Sequence, residues 1–124
     1  MAYPAREPAL RVNERHDGPC VIVEITGELD MTAVPRLRAE LDHALEACRP
    51  PCLVLDLTAT TFCDSLGLGL LVNTYNRVRA MGGRLALAVT PGMMIHRLLA
   101  ITHLDHHFST FPSPQDAVTT LQTA

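Results

Sequence analysis

The sequence has no run of Lys or Arg, and its formal net charge is −3 over 124 residues. Both features argue against nucleic acid or an anionic membrane surface as the main partner, because each of those demands clustered cations. No apolar run reaches the ~18 residues that a spanning helix needs. The first residues, Met1 to Pro8, lack the apolar stretch of a secretory signal. A cytoplasmic location is therefore expected. The four cysteines, Cys20, Cys48, Cys52 and Cys63, form no Cys-x-x-Cys pair, and Pro50 and Pro51 stand between Cys48 and Cys52. In a reducing compartment disulfides are not expected, and most of the cysteines read as small buried apolar residues. The chain shows no internal repeat, no low-complexity segment, no nucleophile–His–acid order and no phosphate loop. No catalytic role and no cofactor are expected.

What the chain does have is apolar mass. Hydrophobic residues make up 48%, enough for one packed core in one domain of this length. Residues 1–8, with two prolines and mixed charge, read as a flexible tail, and residues 9–124 as the domain. Ala9 to Arg15 alternates as an edge strand does. His16 to Pro19 is a turn by composition, and Cys20 to Ile25 is a β-branched strand pairing back as a hairpin. Thr26 to Asp30 then reads as a loop.

Ala33 to Cys48 carries apolar residues at helical spacing, with Thr32 a plausible cap and Pro35 in the first turn. Leu53 to Leu57 is a central strand. Leu66 to Met81 is a second helix, with Leu70, Leu71, Thr74, Val78 and Met81 facing inward, and Gly82-Gly83 ends it. Arg84 to Val89 is a strand, Met93 to Ile101 a third helix, Phe108 to Phe111 a short strand, and Gln115 to Leu121 a last helix capped by Ser113. Two strands followed by alternating helix and strand predict an α/β fold. Its mixed sheet has about four to five strands, the inner ones parallel, under about four helices.

The segment Phe62-Cys63-Asp64-Ser65-Leu66-Gly67-Leu68-Gly69 lies between a buried strand and a helix. A hydroxyl at such a turn is a helix N-cap, a place for a phosphate, or both. A cap stabilises the first turn by ~1 kcal/mol. A phosphate there meets free amides and the positive end of the helix, and adds about two negative charges to the surface. Gly67 and Gly69 each lower helix stability by ~1 kcal/mol relative to alanine. Two of them at a helix start therefore point to close packing or to access for another molecule. If Asp30 and Asp64 follow neighbouring parallel strands, both lie at the carboxyl edge of the sheet, where such folds place ligands. There they orient the hydroxyl, or help hold Mg²⁺ from a partner's nucleotide. Asp30 also has a plainer reading, as a loop or cap residue before the first helix.

These stretches carry a resemblance. Thr26-Gly27-Glu28-Leu29-Asp30, Leu53-Val54-Leu55-Asp56-Leu57 and Phe62 to Gly69, extended by Gly82-Gly83 and by Arg97 to Leu104, are similar in order and spacing to the bacterial STAS-domain anti-sigma factor antagonists. The resemblance implies the STAS fold and a non-enzymatic switch. The serine after the motif's aspartate, here Ser65, is the expected phosphorylation site of an anti-sigma factor serine kinase. The unphosphorylated form is expected to bind that kinase and free the sigma factor, and a serine phosphatase to reset the switch. Asp30, Asp64, Ser65, Leu66, Gly67 and Leu68 are the expected partner-binding residues. Two positions depart from the family pattern. Leu66 replaces a residue that is often small or hydroxylated, and His103 stands where glycine is frequent. The rival readings are a STAS module of a transport or lipid-trafficking complex that is never phosphorylated, and a small-molecule domain using the same edge. His103, Asp105, His106 and His107 also cluster, but without a closed four-ligand pattern, so no metal is expected. Met93, Met94, Ile95, Leu98 and Leu99 read as core packing of the third helix rather than as an exposed patch.

Overall fold

A computed structural model describes residues 10–123; the expected tail over residues 1–8 lies outside them. Eight residues of alternating exposure, Leu10–Asp17 (β1), run antiparallel to Cys20–Leu29 (β2), with Leu10 opposite Gly27 and Asp17 opposite Cys20. The remaining pairings are parallel. β2 pairs with Cys52–Asp56 (β3), β3 with Arg84–Ala88 (β5), and β5 with Ser109–Phe111 (β6). The helices are Val34–Glu46 (α1), Ser65–Ala80 (α2), Met94–Ile101 (α3) and Pro114–Thr123 (α4). The expected mixed sheet with parallel inner strands is present, with six strands rather than four or five.

The additional strand is Thr60–Cys63 (β4), in a segment read from the sequence as a turn. It pairs with the far half of β2, Gly27 to Leu29, on the side that β3 occupies lower down. β3 and β4 therefore act as one strand broken at Leu57–Ala59. Asp56 Oδ1 accepts from the Thr58 amide and hydroxyl at the break, and the buried Thr60 hydroxyl donates to the Ile25 carbonyl at 2.7 Å. With a partner for its far half, β2 runs on through Thr26–Leu29, where the sequence suggested a loop. The register shifts at Gly27, whose φ of 104° suits glycine.

Strand alternation divides the core. Val21, Val23 and Ile25 of β2, with Leu53 and Leu55 of β3 and Leu85 and Leu87 of β5, face Leu37, Leu41 and Leu45 of α1, Leu71 and Val78 of α2, and Ile95 and Leu99 of α3. Cys20, Ile22, Cys52, Val54 and Ala86 face the other way, against Ala117, Val118 and Leu121 of α4. Each fully buried aliphatic side chain contributes ~1.5–3 kcal/mol of transfer free energy. Met81, expected inward, lies past the end of α2 and is 39% exposed.

The cysteine expectation fails for one pair. Cys20 and Cys52 are joined by a disulfide, with Cα atoms 4.6 Å apart. The physical reason is register. Val21 pairs with Leu53, so the two cysteines begin neighbouring parallel strands side by side, which their separation of 32 positions conceals. Cys63 is a free buried thiol, as expected, and Cys48 a free half-buried one.

Helix ends also differ in detail. Gly82, with φ 74°, and Gly83 terminate α2 as expected. A Cβ on Gly83 would meet the Pro51 carbonyl oxygen at 2.3 Å. His103 takes the left-handed conformation, φ 61°, at the end of α3, where a β-carbon is strained. Ser113 Oγ accepts from the Asp116 amide, as expected of a cap for α4.

The start of α2 lies hard against the end of β2. An added Cβ at Gly67 would sit 2.5 Å from the Leu29 carbonyl oxygen and 3.2 Å from Cys63 Sγ, whereas one at Gly69 meets nothing within 4 Å. The two glycines should therefore respond oppositely to alanine. In chemical denaturation, Gly67→Ala should lose ~1–3 kcal/mol through a clash with backbone. Gly69→Ala should gain ~0.5–1 kcal/mol through helix propensity. Equal effects would contradict the packing.

Candidate functional site

The carboxyl ends of β2 and β4 meet at one edge of the sheet. Leu29 pairs with Cys63, so Asp30 and Asp64 are the next residues of two neighbouring parallel strands. The sequence-based placement of both acids at the carboxyl edge holds.

Their roles there differ. Asp64 is the N-cap of α2: its Oδ1 accepts from the Gly67 amide at 2.8 Å, and its carbonyl accepts from the Leu68 amide. Its Oδ2 accepts from the Met31 amide at 2.9 Å, tying the loop after β2 to the helix start. Asp30 folds back on its own loop. One oxygen, Oδ1, accepts from the Thr32 hydroxyl at 2.7 Å and from the Thr32 and Ala33 amides, both at 3.1 Å. The Thr32 hydroxyl, followed by those amides, holds the Asp30 carboxyl below its usual value against the opposing effect of burial. Asp30 thus closes the turn that leads into α1, and Thr32, foreseen as the cap, donates to it instead; Ala33, the residue before α1, makes no side-chain cap.

Ser65 is the first residue of α2, one place later than a cap, and it is exposed. The expectation that Ser65 caps the helix is corrected: the carboxylate of Asp64 already satisfies the Gly67 amide, so the serine hydroxyl is spared that bond. The amides of Ser65 and Leu66 have no protein acceptor among the described residues, as is usual for the first positions of a helix. An exposed hydroxyl therefore stands beside orphan donors at the positive end of a 16-residue helix.

The other expected site residues separate by burial. Leu66 is 53% exposed and Leu68 half-buried, while Gly67 is buried beneath Leu29 and supports the surface from below. Sequence reasoning missed Met31 and Phe62. Of the large apolar side chains left exposed, Met31 (63%), Phe62 (43%) and Leu66 belong to the three segments that meet at Asp64. A free methionine next to Asp30 was the available signal. Beneath them burial, reinforced by the neighbouring Asp64 carboxylate, pushes the Cys63 thiol up to about 12, which keeps it protonated.

Among the described residues no three His, Cys, Asp or Glu side chains converge as metal ligands. The histidines after α3 go to different neighbours: His106 lies 3.9 Å from Asp105, and the His107 ring packs on Tyr75 and Phe108. The same α3 buries Ile95 and Leu99 and leaves Met93, Met94 and Leu98 half-buried against the core, as its spacing predicted. No described helix is long and apolar enough to cross a membrane.

Comparison with known proteins fits this geometry. The STAS domain family profile matches residues 8–117. An anti-sigma F factor antagonist of Paenibacillus polymyxa is 30% identical over 114 residues, covering 91% of this chain and 96% of its own. The crystal structure of an anti-sigma factor antagonist from Mycobacterium paratuberculosis superposes with a TM-score of 0.81 at 26% identity, covering 91% of this chain and 94% of that one. The Bacillus cell fate determinant SpoIIAA in its phosphorylated form shares the fold, with a TM-score of 0.66, 22% identity, and coverage of 90% and 98%. A sheet whose parallel strands lead into Asp30 and Asp64, with Ser65 opening the next helix, thus sits within a family match over nearly the whole chain: the protein belongs to the STAS domain family.

Proposed function

We propose that this chain is an anti-sigma factor antagonist controlled by phosphorylation of Ser65. Unphosphorylated, it binds a kinase-type anti-sigma factor in the cytoplasm and so releases the sigma factor. The kinase transfers a phosphoryl group to Ser65, binding ends, and a serine phosphatase restores the hydroxyl. The chain is then a substrate and binding partner rather than an enzyme. Support for the family role comes from the full-length likeness to the Paenibacillus polymyxa antagonist.

The observation that carries the reading is the exposed hydroxyl of Ser65 at the first position of α2, spared from capping by Asp64. Three physical consequences follow. A kinase can reach the hydroxyl without unwinding the helix. The phosphate would be tolerated, because orphan amides and the helix dipole favour an anion there. About two new negative charges would then stand among Met31, Phe62 and Leu66, where a partner with an apolar contact must desolvate or repel them. Release therefore needs no unfolding. Leu66 gives this site apolar bulk where a hydroxyl is common in the family, which favours an apolar rather than hydrogen-bonding contact in the partner.

The decisive experiment is phosphoryl transfer from the cognate kinase-type anti-sigma factor. Label should appear on Ser65 and vanish in Ser65→Ala. A serine elsewhere taking the label, or none taking it, would sink the proposal and return the chain to the reading of a non-phosphorylated STAS module. A second measurement separates charge from folding. Ser65→Asp should weaken anti-sigma binding about tenfold or more while its unfolding free energy stays within ~1 kcal/mol of the wild type. A large loss of stability would contradict the placement of Ser65. For the apolar surround, Met31→Ser should weaken binding by ~1–2 kcal/mol in calorimetry and leave stability within ~0.5 kcal/mol. Unchanged affinity would remove Met31 from the interface.

A further inference from the structure

The sheet is open along the first residues of β5. β6 begins opposite Ala86, so Arg84 and Leu85 have no strand on their outer side. α2 packs on one face of the sheet and α4 on the other. Side chains from both helices border the gap, and a cleft of about 330 Å³ lies between them.

The cleft is sorted by polarity. Leu85 of β5 and Leu121 of α4 are buried and form its floor. Tyr75 of α2 and Phe111 of β6 are half-buried and form its walls. The Tyr75 ring is fixed by packing on His107 and Phe108, with centroids 4.3 and 5.3 Å away. Arg79, Arg84, Ser109 and Thr120 are exposed and form the rim. No Asp or Glu is among the residues that line the cleft, so both formal charges on its lining are positive. Arg79 is also oriented. Its Nη1 donates to the Tyr75 hydroxyl at 3.2 Å, and its guanidinium lies 5.8 Å from the centroid of the same ring. That hydrogen bond uses one of the five donors of a guanidinium.

A cationic rim over an apolar floor fits a molecule with an anionic head and a hydrocarbon body. We propose that this cleft binds a small amphipathic carboxylate, with its head on Arg79 and its body on Leu85, Phe111 and Leu121. A carboxylate is planar and matches the guanidinium fork. The body displaces water from the floor, which contributes about 25 cal/mol for each Å² of apolar surface covered. The volume lies at the lower end of the ~300–1,000 Å³ usual for small-molecule sites. A free phosphate would leave the floor wet. A nucleotide would set the polar edges of its base against Leu85 and Leu121, whose side chains form no hydrogen bonds. The cleft is separate from the Ser65 surface. Arg79 and Ser65 stand 14 positions apart on α2, about 21 Å along its axis. The proposal therefore does not depend on phosphorylation.

The test titrates octanoate into the isotope-labelled full chain and follows backbone amide shifts by NMR. Saturable shifts should appear at Leu85, Ser109, Phe111 and Leu121, with none at Ser65 or Leu66. Arg79→Gln should weaken octanoate binding about tenfold, while its melting temperature matches the wild type because the side chain is exposed. Octanol, which keeps the body and loses the charge, should bind about tenfold more weakly than octanoate. Acetate and inorganic phosphate, which lack the body, should give no saturable shift at the same concentration. The proposal is overturned if millimolar octanoate leaves these amides unmoved or shifts residues elsewhere. It is equally overturned if Arg79→Gln or octanol binds as tightly as the wild-type pair, or if guanosine monophosphate fills the cleft more tightly than octanoate.

Discussion

Both carboxylate oxygens of Asp64 accept backbone amides, Oδ1 that of Gly67 inside α2 and Oδ2 that of Met31 in the loop leaving β2. Each is a charge-assisted bond, worth ~1.5–3 kcal/mol where it replaces an otherwise unmet donor. The pair fixes three segments at once: the end of β4, the first turn of α2, and the chain between β2 and α1. The arrangement works only because Gly67 lets the helix start approach the Leu29 carbonyl, a distance no side chain there permits. The rigidity of this edge is thus built from one acid and one missing β-carbon.

That division of labour frees the serine. Had Ser65 been the cap, its hydroxyl would have been committed to an amide, and modifying it would have removed a helix-stabilising bond. With Asp64 in that place, the hydroxyl is surplus to the fold, and a change of its charge acts outward on whatever touches the surface. Asp30 contributes differently. Its bonds to Thr32 and Ala33 shape the loop that presents Met31, so the two acids position the apolar surround.

The sheet separates two kinds of chemistry. Its carboxyl edge gathers strand ends, the helix start and exposed apolar side chains. Its opposite edge carries the Cys20–Cys52 disulfide and the close contact of Gly83 on Pro51. β2 reaches both ends because it is long, and it is long because β3 and β4 pair with it in succession. A covalent tie at its first residue and a hydrogen-bonded clamp just after its last therefore act on the same strand without touching one another.

The sequence by itself determined the order of elements, the parallel inner sheet, the helix-terminating Gly82 and the position of the serine after a strand. These follow from local periodicity and turn chemistry, which are written in neighbouring residues. Tertiary structure alone decided four things. β4 is too short and too polar at Thr60-Thr61 to read as a strand, and it exists because the far half of β2 needs a partner. The cap passed from Ser65 to Asp64 because backbone geometry placed the acid, not the hydroxyl, over the Gly67 amide. Met31 became part of the site through a bond to a residue 33 positions away. The cysteines met because β2 and β3 start in register, although 32 positions separate them in the chain. Three of these contacts join residues far apart in sequence, and no local pattern records them; the cap spans only three positions, but its geometry is set where the Asp64 amide donates to the Leu29 carbonyl of β2.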